Sequence, residues 1–439
     1  MSHTQRVGRS QLPVVVSGIA TLLNAAGGVL RALGAPIDRL SEERLLRAAR
    51  RKTGLSDFGG DGFRIPLRTL IRSVNEESGL KCFARLQSRR RILILLMNRL
   101  LIANELKRRP EILQGPIRRP IFIASLPRTG TTFLHRLLAQ DPNARALLLW
   151  EALMPARRPA VIDGGRDRRL KTAQRLAKVL TVMFPGSRKI HELDPEGPEE
   201  CGALLQNTGF NAGQVSPIYR EWFLRQPAEV LEAAYREYRQ QLQLLHWQRP
   251  HDGHWLLKCP GHSYAIEALL TVFPDAAVVL THRDPSRAIG SMCSLLGVVH
   301  HLMTDDSTTE DPTRRGAVGP LVVSWVAEAL RRVEAARAHA EPGRIYDVRY
   351  QDLVADPLAV VQRMYAHFGY PYTEEFEERA LAWLKEHPQN KHGAHRYESE
   401  EWGVDRQAID DAFAWYRERY HIPRESAVSS DASGAGALR

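Results

Sequence analysis

The stretch Ile121-Phe-Ile-Ala-Ser125-Leu-Pro-Arg128-Thr-Gly130-Thr-Thr132-Phe-Leu-His-Arg-Leu-Leu138 joins a short apolar run, a turn and a helical pattern. A turn in that place is where a nested row of backbone N–H groups and the positive end of a helix can hold a phosphate. Gly130 lets the backbone approach the anion, and Thr129, Thr131 and Thr132 complete the loop with hydroxyl-bearing side chains. Arg128 adds a forked cation suited to phosphate or sulfate oxygens. The same theme recurs downstream. Trp255-Leu-Leu-Lys258 is followed by a Pro-Gly turn and the helical Tyr264 to Phe273. Ala276 to Thr281 precedes a turn and a further helix, and Ile345 to Arg349 precedes the helical Pro357 to Phe368. Strands alternating with helices predict an α/β fold, a P-loop-like parallel sheet flanked by helices.

The loop departs from the pattern that holds a nucleoside triphosphate, G-x-x-x-x-G-K-[ST]. Ser125 takes the place of the first glycine and Thr131 the place of the lysine that reaches the β- and γ-phosphates. No hydrophobic strand ends in an evident magnesium ligand; the best candidate, Asp284, directly follows Arg283. A shorter, metal-free, diphosphate-like group suits the loop better than a triphosphate.

Outward from this loop, the chain has 439 residues, 44% hydrophobic and 25% charged, which is ordinary for a folded globular protein. Its formal net charge of +11 calls for an anionic partner: a nucleic acid, an acidic membrane surface or a phosphorylated small molecule. No aromatic-interleaved basic platform or reader motif accompanies that charge, so nucleic acid is set aside. The 4 cysteines are widely spaced without a C-x-x-C pair, which argues against a disulfide framework and a cysteine zinc site. The histidines of the C-terminal Lys391-His-Gly-Ala-His-Arg396 lack metal-ligand partners at convincing spacing, and no metal is expected. A reducing cytoplasm fits this composition.

Three regions are expected: a helical N-terminal region over 1–115, an α/β domain over 116–424 and a disordered Ser/Ala/Gly-rich tail over 425–439. In the first, Ser41 is an N-cap signal, and a helix runs through Ile92, Leu95, Leu96, Leu100 and Leu101. Arg89, Arg90, Arg91, Arg99 and Lys107 read as that helix's solvated basic face. Ser10 to Leu30 carries no charge, but Pro13, Asn24 and the glycines Gly18, Gly27 and Gly28 interrupt it. A spanning helix takes about 20 predominantly apolar residues. The segment therefore reads as a helix packed on the protein, with peripheral membrane contact as the second reading.

The loop Pro127-Arg-Thr-Gly-Thr-Thr132 resembles the 5′-phosphosulfate loop of sulfotransferases that use PAPS (3′-phosphoadenosine 5′-phosphosulfate), which reads Pro-Lys/Arg-Ser/Thr-Gly-Thr-Thr. That family holds the donor's 3′-phosphate with an arginine at a strand end and a serine on the next helix. Val278-Val-Leu-Thr-His-Arg283-Asp-Pro-Ser-Arg-Ala-Ile-Gly-Ser291 has this layout, with Ser291 about two helical turns beyond Arg283. Trp255-Leu-Leu-Lys258-Cys-Pro looks like the family's central strand with its lysine, and Tyr350-Gln-Asp-Leu-Val-Ala-Asp-Pro like its later strand–turn–helix. The resemblance runs from about Pro120 to Trp402. It is nearest the bacterial branch whose loop carries Arg, a feature shared with tyrosylprotein sulfotransferases. It implies PAPS as co-substrate, bound by Arg128, Thr129, Gly130, Thr131, Thr132, Arg283 and Ser291.

Sulfuryl transfer needs an in-line path, a base for the acceptor hydroxyl and cations facing the bridging oxygen as the S–O bond breaks. Arg128 is the first cation by position. Lys258, at a strand terminus, is the second, since ligands in such sheets sit beyond the carboxyl ends of strands. Two residues are candidates for the base. Glu151 follows the phosphate-loop helix in the apolar Leu147-Leu-Leu-Trp-Glu-Ala-Leu-Met-Pro155, a setting that raises a carboxyl's pKa, and its position looks like the base of tyrosylprotein sulfotransferases. His262, after Lys258-Cys-Pro-Gly, has a natural pKa for the task, though the histidine of cytosolic sulfotransferases lies closer to the lysine. Glu199 and Glu200 read as charges at a helix N-terminus. Lys391-His-Gly-Ala-His-Arg396 offers cations that could close over the donor.

The acceptor expected is a hydrophobic small molecule, lipid or glycolipid, walled by apolar stretches such as Val298 to Met303 and by the N-terminal helices. Rival readings are a P-loop small-molecule kinase, opposed by the missing lysine and magnesium ligands, and a catalytically silent nucleotide-binding module, opposed by Arg128, Lys258 and a candidate base.

Overall fold

The computed structural model describes residues 39–76, 80–157, 162–163, 166–183, 194–210, 216–303, 312–387 and 402–425. Among these the chain opens with three helices: α1 (Glu42–Thr53), α2 (Arg64–Glu76) and α3 (Cys82–Arg108). Ser41 caps α1 by accepting the Arg44 N–H, as its type and position predict. Leu45, Phe63, Leu67, Ile92, Leu96 and Leu100 close a core among the three helices. Arg89, Arg90 and Arg91 are exposed, but Arg99 is not part of a solvated face. It is buried and bound to Glu237 through both terminal nitrogens, at 2.6 and 2.9 Å. The apolar side of α3 is wider than the stripe read from the sequence, so Arg99 falls inside it and finds a carboxylate there.

A five-stranded sheet follows. Its strands are β1 (Ile121–Ile123), β2 (Ala144–Ala146), β3 (His254–Lys258), β4 (Ala277–His282) and β5 (Ile345–Arg349), in the spatial order β2-β3-β1-β4-β5. Every pairing is parallel. The short edge strand β2, Ala-Arg-Ala, carries no apolar alternation, so its sequence does not announce a strand.

Both faces of the sheet are covered, which explains its near-continuous apolar strands. Alternate residues feed opposite cores. Phe122, Leu257, Val278 and Leu280 pack with Tyr235, Tyr238 and Leu242 of α9 (Ala228–Gln248). Along the chain between β1 and α9 come α4 (Thr131–Leu138), α5 (Leu149–Leu153), α6 (Arg168–Met183), α7 (Gly202–Asn207) and α8 (Pro217–Leu224). Ile121, Ile123, Leu256 and Val279 face the other way, against Leu134, Leu137 and Leu138 of α4.

The remaining helices are α10 (Ile266–Val272), α11 (Pro285–Met303), α12 (Pro312–His339), α13 (Tyr350–Ala355), α14 (Pro357–Phe368), α15 (Glu374–Glu386), α16 (Arg406–Ala412) and α17 (Ala414–Tyr420). Helices α11, α12, α16 and α17 share a third core built on Ile289, Val326, Ile409 and Phe413.

The topology positions the site. From β1 the chain runs to one edge, returns through β3, crosses β1 and continues to β4 and β5 on the other side. The carboxyl end of β1 is therefore the point where strand order reverses, the usual crevice of such sheets. Ile123 is paired with Lys258 on one side and Val279 on the other, so the loop after β1 emerges between the ends of β3 and β4.

Candidate active site

The loop after β1 is tied down from within. Thr129 is buried, and its hydroxyl reaches the Leu126 carbonyl at 2.7 Å and the Thr281 hydroxyl at 2.5 Å. The Thr281 N–H donates to Ser125 Oγ, so the serine standing in place of a glycine pins the loop to β4. Arg128 and Gly130 both adopt positive φ, 69° and 91°. Gly130 is required there: a Cβ would lie 3.0 Å from the Tyr350 ring. Helix α4 starts immediately afterwards, with Thr131 buried and Thr132 exposed.

One cluster forms on the β4 side. Arg128 Nε donates to Ser291 Oγ at 2.8 Å, bringing together two residues 163 apart in the chain. Arg283 Nη1 donates to the Arg128 carbonyl at 3.3 Å, and its guanidinium lies 4.0 Å from the centroid of the Tyr350 ring. Its other nitrogens are held by Glu425: Nε to Oε1 at 2.8 Å and Nη2 to Oε2 at 2.9 Å. Glu425 is anchored through its backbone, its N–H donating to Asp284 Oδ2 at 2.7 Å and its carbonyl accepting from Arg406 at 2.5 Å. This residue, at the start of the expected tail, is packed; residues 426–439 lie outside the described residues.

Asp284 is enclosed as well, accepting from Arg417 and from the N–H groups of Ser286 and Glu425. Burial opposes its charge, but the Glu425 N–H and Arg417 overcome that and hold its carboxyl below the usual range. The carboxylate that was the best magnesium candidate thus closes a structural network.

A second cluster forms on the β3 side. Lys258 is buried, and its Nζ lies 2.6 Å from Glu200 Oε1 and 3.3 Å from Thr132 Oγ1. The loop's last hydroxyl, the strand-end lysine and a carboxylate thereby share one corner. From the sequence Glu200 reads as a helix-terminal charge rather than a catalyst; no local pattern marks its contact, because its partner is 58 residues away.

Neither candidate base joins these clusters. The turn Pro260–Tyr264 is a 3-10 helix that turns the His262 ring inward, fully buried. Its nitrogens face Tyr235 Oη at 2.7 Å and Cys201 Sγ at 3.1 Å, and its ring meets Phe122 edge-on. Burial pushes its pKa down to about 3. Glu151, 1% exposed in its side chain, binds Arg145 at 3.2 Å and Arg249 at 3.4 Å, and accepts the Leu148 N–H at the start of α5. It neutralises Arg145, which stacks 4.0 Å over Trp255 and whose pKa burial lowers to about 10. The apolar stretch around Glu151 marks a buried ion pair. Lys391 to Arg396 lie outside the described residues, as do the N-terminal Ser10 to Leu30 and the side chains of Val298 to Met303. No group able to hold a metal, and no helix long and apolar enough to cross a membrane, occurs among the described residues.

Comparisons agree with this architecture. A sequence model of the sulfotransferase family matches residues 120–374. The omega-hydroxy-beta-dihydromenaquinone-9 sulfotransferase Stf3 of Mycobacterium tuberculosis, and its Mycobacterium bovis counterpart, are each 26% identical over 318 residues, 70% of this chain and 76% of theirs. The crystal structure of sulfotransferase STF9 from Mycobacterium avium superposes with a TM-score of 0.75 at 27% identity, covering 87% of this chain and 97% of that one. Sulfotransferase STF1 from Mycobacterium tuberculosis gives 0.69 at 30% identity, covering 86% and 99%.

Proposed function

Because the chain belongs to the sulfotransferase family, we propose that it moves a sulfuryl group from PAPS, without a metal, onto a hydroxyl of a lipophilic acceptor. The observation that carries the reading is the contact of Arg128 with Ser291, with Arg283 on the same peptide. The two halves of the expected donor site, far apart in sequence, meet at the sheet's switch point. A phosphate-bearing ligand fits this chemistry: the Glu425 carboxylate already stands on Arg283 as an anion in bidentate geometry.

In this reading Arg283 and Ser291 hold the 3′-phosphate, and the loop N–H groups with Thr131 and Thr132 hold the 5′-phosphate. The donor supplies the sulfuryl group and a phosphate leaving group. Arg128 and Lys258 face the negative charge that grows on the leaving oxygen. Thr129 contributes its backbone, since its hydroxyl is committed to Leu126 and Thr281.

A lipophilic acceptor is supported by the Stf3 relatives, which act on a dihydromenaquinone derivative. It is also supported by an apolar hollow lined by Leu67, Leu70, Ile92 and Leu95. Gln206 and Asn207, which also line the hollow, end helix α7, which begins at Gly202 just after Glu200. Six helical residues span about 9 Å, so the hollow lies about one short helix from the corner that holds Lys258. The net charge of +11 suits peripheral contact with an acidic membrane from a reducing cytoplasm, where the four free cysteines are at home.

Calorimetry with PAP (the desulfated product), PAPS and ATP tests the reading. PAP is expected to bind in the presence of a chelator and at least tenfold more tightly than ATP with magnesium. PAP binding that disappears with the chelator, or a preference for magnesium-ATP, overturns it.

A further inference from the structure

In the cluster on the β3 side one carboxylate is partly exposed and bound to the lysine of the crevice. Glu200 keeps 38% of its side chain accessible, against 3% for Lys258 and 1% for Glu151. Its backbone is held at the carboxyl ends of two strands. Residues 198–201 lie across them, with the Glu199 N–H donating to Leu147 O at 2.8 Å and the Cys201 N–H to Lys258 O at 3.0 Å. The Glu200 N–H itself donates to Glu199 Oε1 at 2.8 Å. Among the described residues only Oε1 is engaged, by Lys258, whose Nζ also touches Thr132 of the phosphate loop. A base must reach its proton with a free lone pair, and an ionised carboxylate beside a cation has one to offer. Glu151 is sealed between two arginines and His262 between Tyr235 and Cys201.

We propose that Glu200 is the group that takes the proton of the acceptor hydroxyl; this rests on the sulfuryl-transfer reading above. The balance is simple. The O–H proton passes to the Glu200 carboxylate as the acceptor oxygen forms its bond to sulfur. The bond from sulfur to the bridging oxygen breaks, and its electron pair stays on the 5′-phosphate of the leaving PAP, facing Lys258 and Arg128.

The test compares wild type, Glu200→Gln and Glu200→Asp with radiolabelled PAPS and two acceptors, phenol and the more acidic 4-nitrophenol. Glu200→Gln is expected to bind PAP at least as tightly as wild type while transferring to phenol about 10²–10⁴-fold more slowly. The loss should shrink with 4-nitrophenol, which needs less proton removal, and Glu200→Asp should recover part of the rate. The acidic limb of the wild-type pH–rate profile should vanish in Glu200→Gln.

Near-normal transfer to phenol by Glu200→Gln overturns the proposal. So does an equal loss for both acceptors with the acidic limb intact, which would mark Glu200 as a support for Lys258. Failure of wild type to bind PAP would instead overturn the donor reading. Loss of PAP binding in Glu200→Gln alone would show a structural role and also count against the proposal.

Discussion

The contact between Arg283 and Glu425 makes a quantitative demand on donor binding. Two charge-assisted hydrogen bonds, at 2.8 and 2.9 Å, close a bidentate pair whose side chains are 24% and 23% exposed. Fully exposed pairs contribute at most about 1 kcal/mol, and hydrogen bonds to charged groups about 1.5–3 kcal/mol when shielded. Partial exposure puts this pair at about 1–2 kcal/mol. A 3′-phosphate that takes Arg283 must displace that carboxylate. Glu425→Gln removes the competing charge and keeps the backbone anchors to Asp284 and Arg406. PAP should then bind about 5–30-fold more tightly, since about 1.4 kcal/mol is a factor of ten. Adenosine 5′-phosphosulfate, which lacks the 3′-phosphate, should change less than about twofold by the same conversion. Calorimetry at low and high salt reads both ligands, and the gain should shrink with salt as the pair is screened. Arg283→Ala should act in the opposite sense, weakening PAP far more than adenosine 5′-phosphosulfate. An unchanged or weaker PAP affinity in Glu425→Gln, or an equal gain for both ligands, refutes the assignment of Arg283 to the 3′-phosphate.

Other expectations concern the loop and acid stability. Gly130→Ala forces a side chain into φ 91° and against Tyr350, which supports Arg283. It should destabilise the fold by about 1–2 kcal/mol in urea titrations and weaken PAP by about tenfold; wild-type affinity would show that the loop does not depend on this conformation. Burial lowers the pKa of His135 to about 3, of His254 to about 4 and of His262 to about 3. Depressed folded values mean that the stabilising neutral state is complete above the unfolded value of about 6.5 and is lost progressively as pH falls toward those values. Each histidine should cost about 1.4 kcal/mol per pH unit below about 6, read by denaturant unfolding at pH 7.5, 5.5 and 4.5. A stability flat over that range would contradict their burial.

Local sequence announces the strands β1, β3, β4 and β5 with the helices after them, the phosphate loop with Arg128 that follows Ile123, and Lys258 and Arg283 at strand ends. Those features are local: apolar runs, a glycine with positive φ and helical spacing act over a few residues and can be read along the chain. The meeting of Arg128 with Ser291 could be expected only because both motifs sit at carboxyl ends of strands, which a parallel sheet brings to one edge. Local chemistry misdirects wherever burial decides. An apolar neighbourhood around Glu151 suggested a shifted carboxyl, but the fold supplies Arg145 and Arg249 and turns it into a buried ion pair. A histidine near a strand-end lysine suggested a base, but a 3-10 turn points His262 into the core between Tyr235 and Cys201. Conversely Glu200 reaches Lys258 across 58 residues, and Glu425 reaches Arg283 across 142. These contacts arise from packing in three dimensions. Which carboxylate stands beside which cation depends on how distant segments are packed over the sheet's edge, and a partner chosen by packing leaves no periodicity in the chain that could announce it.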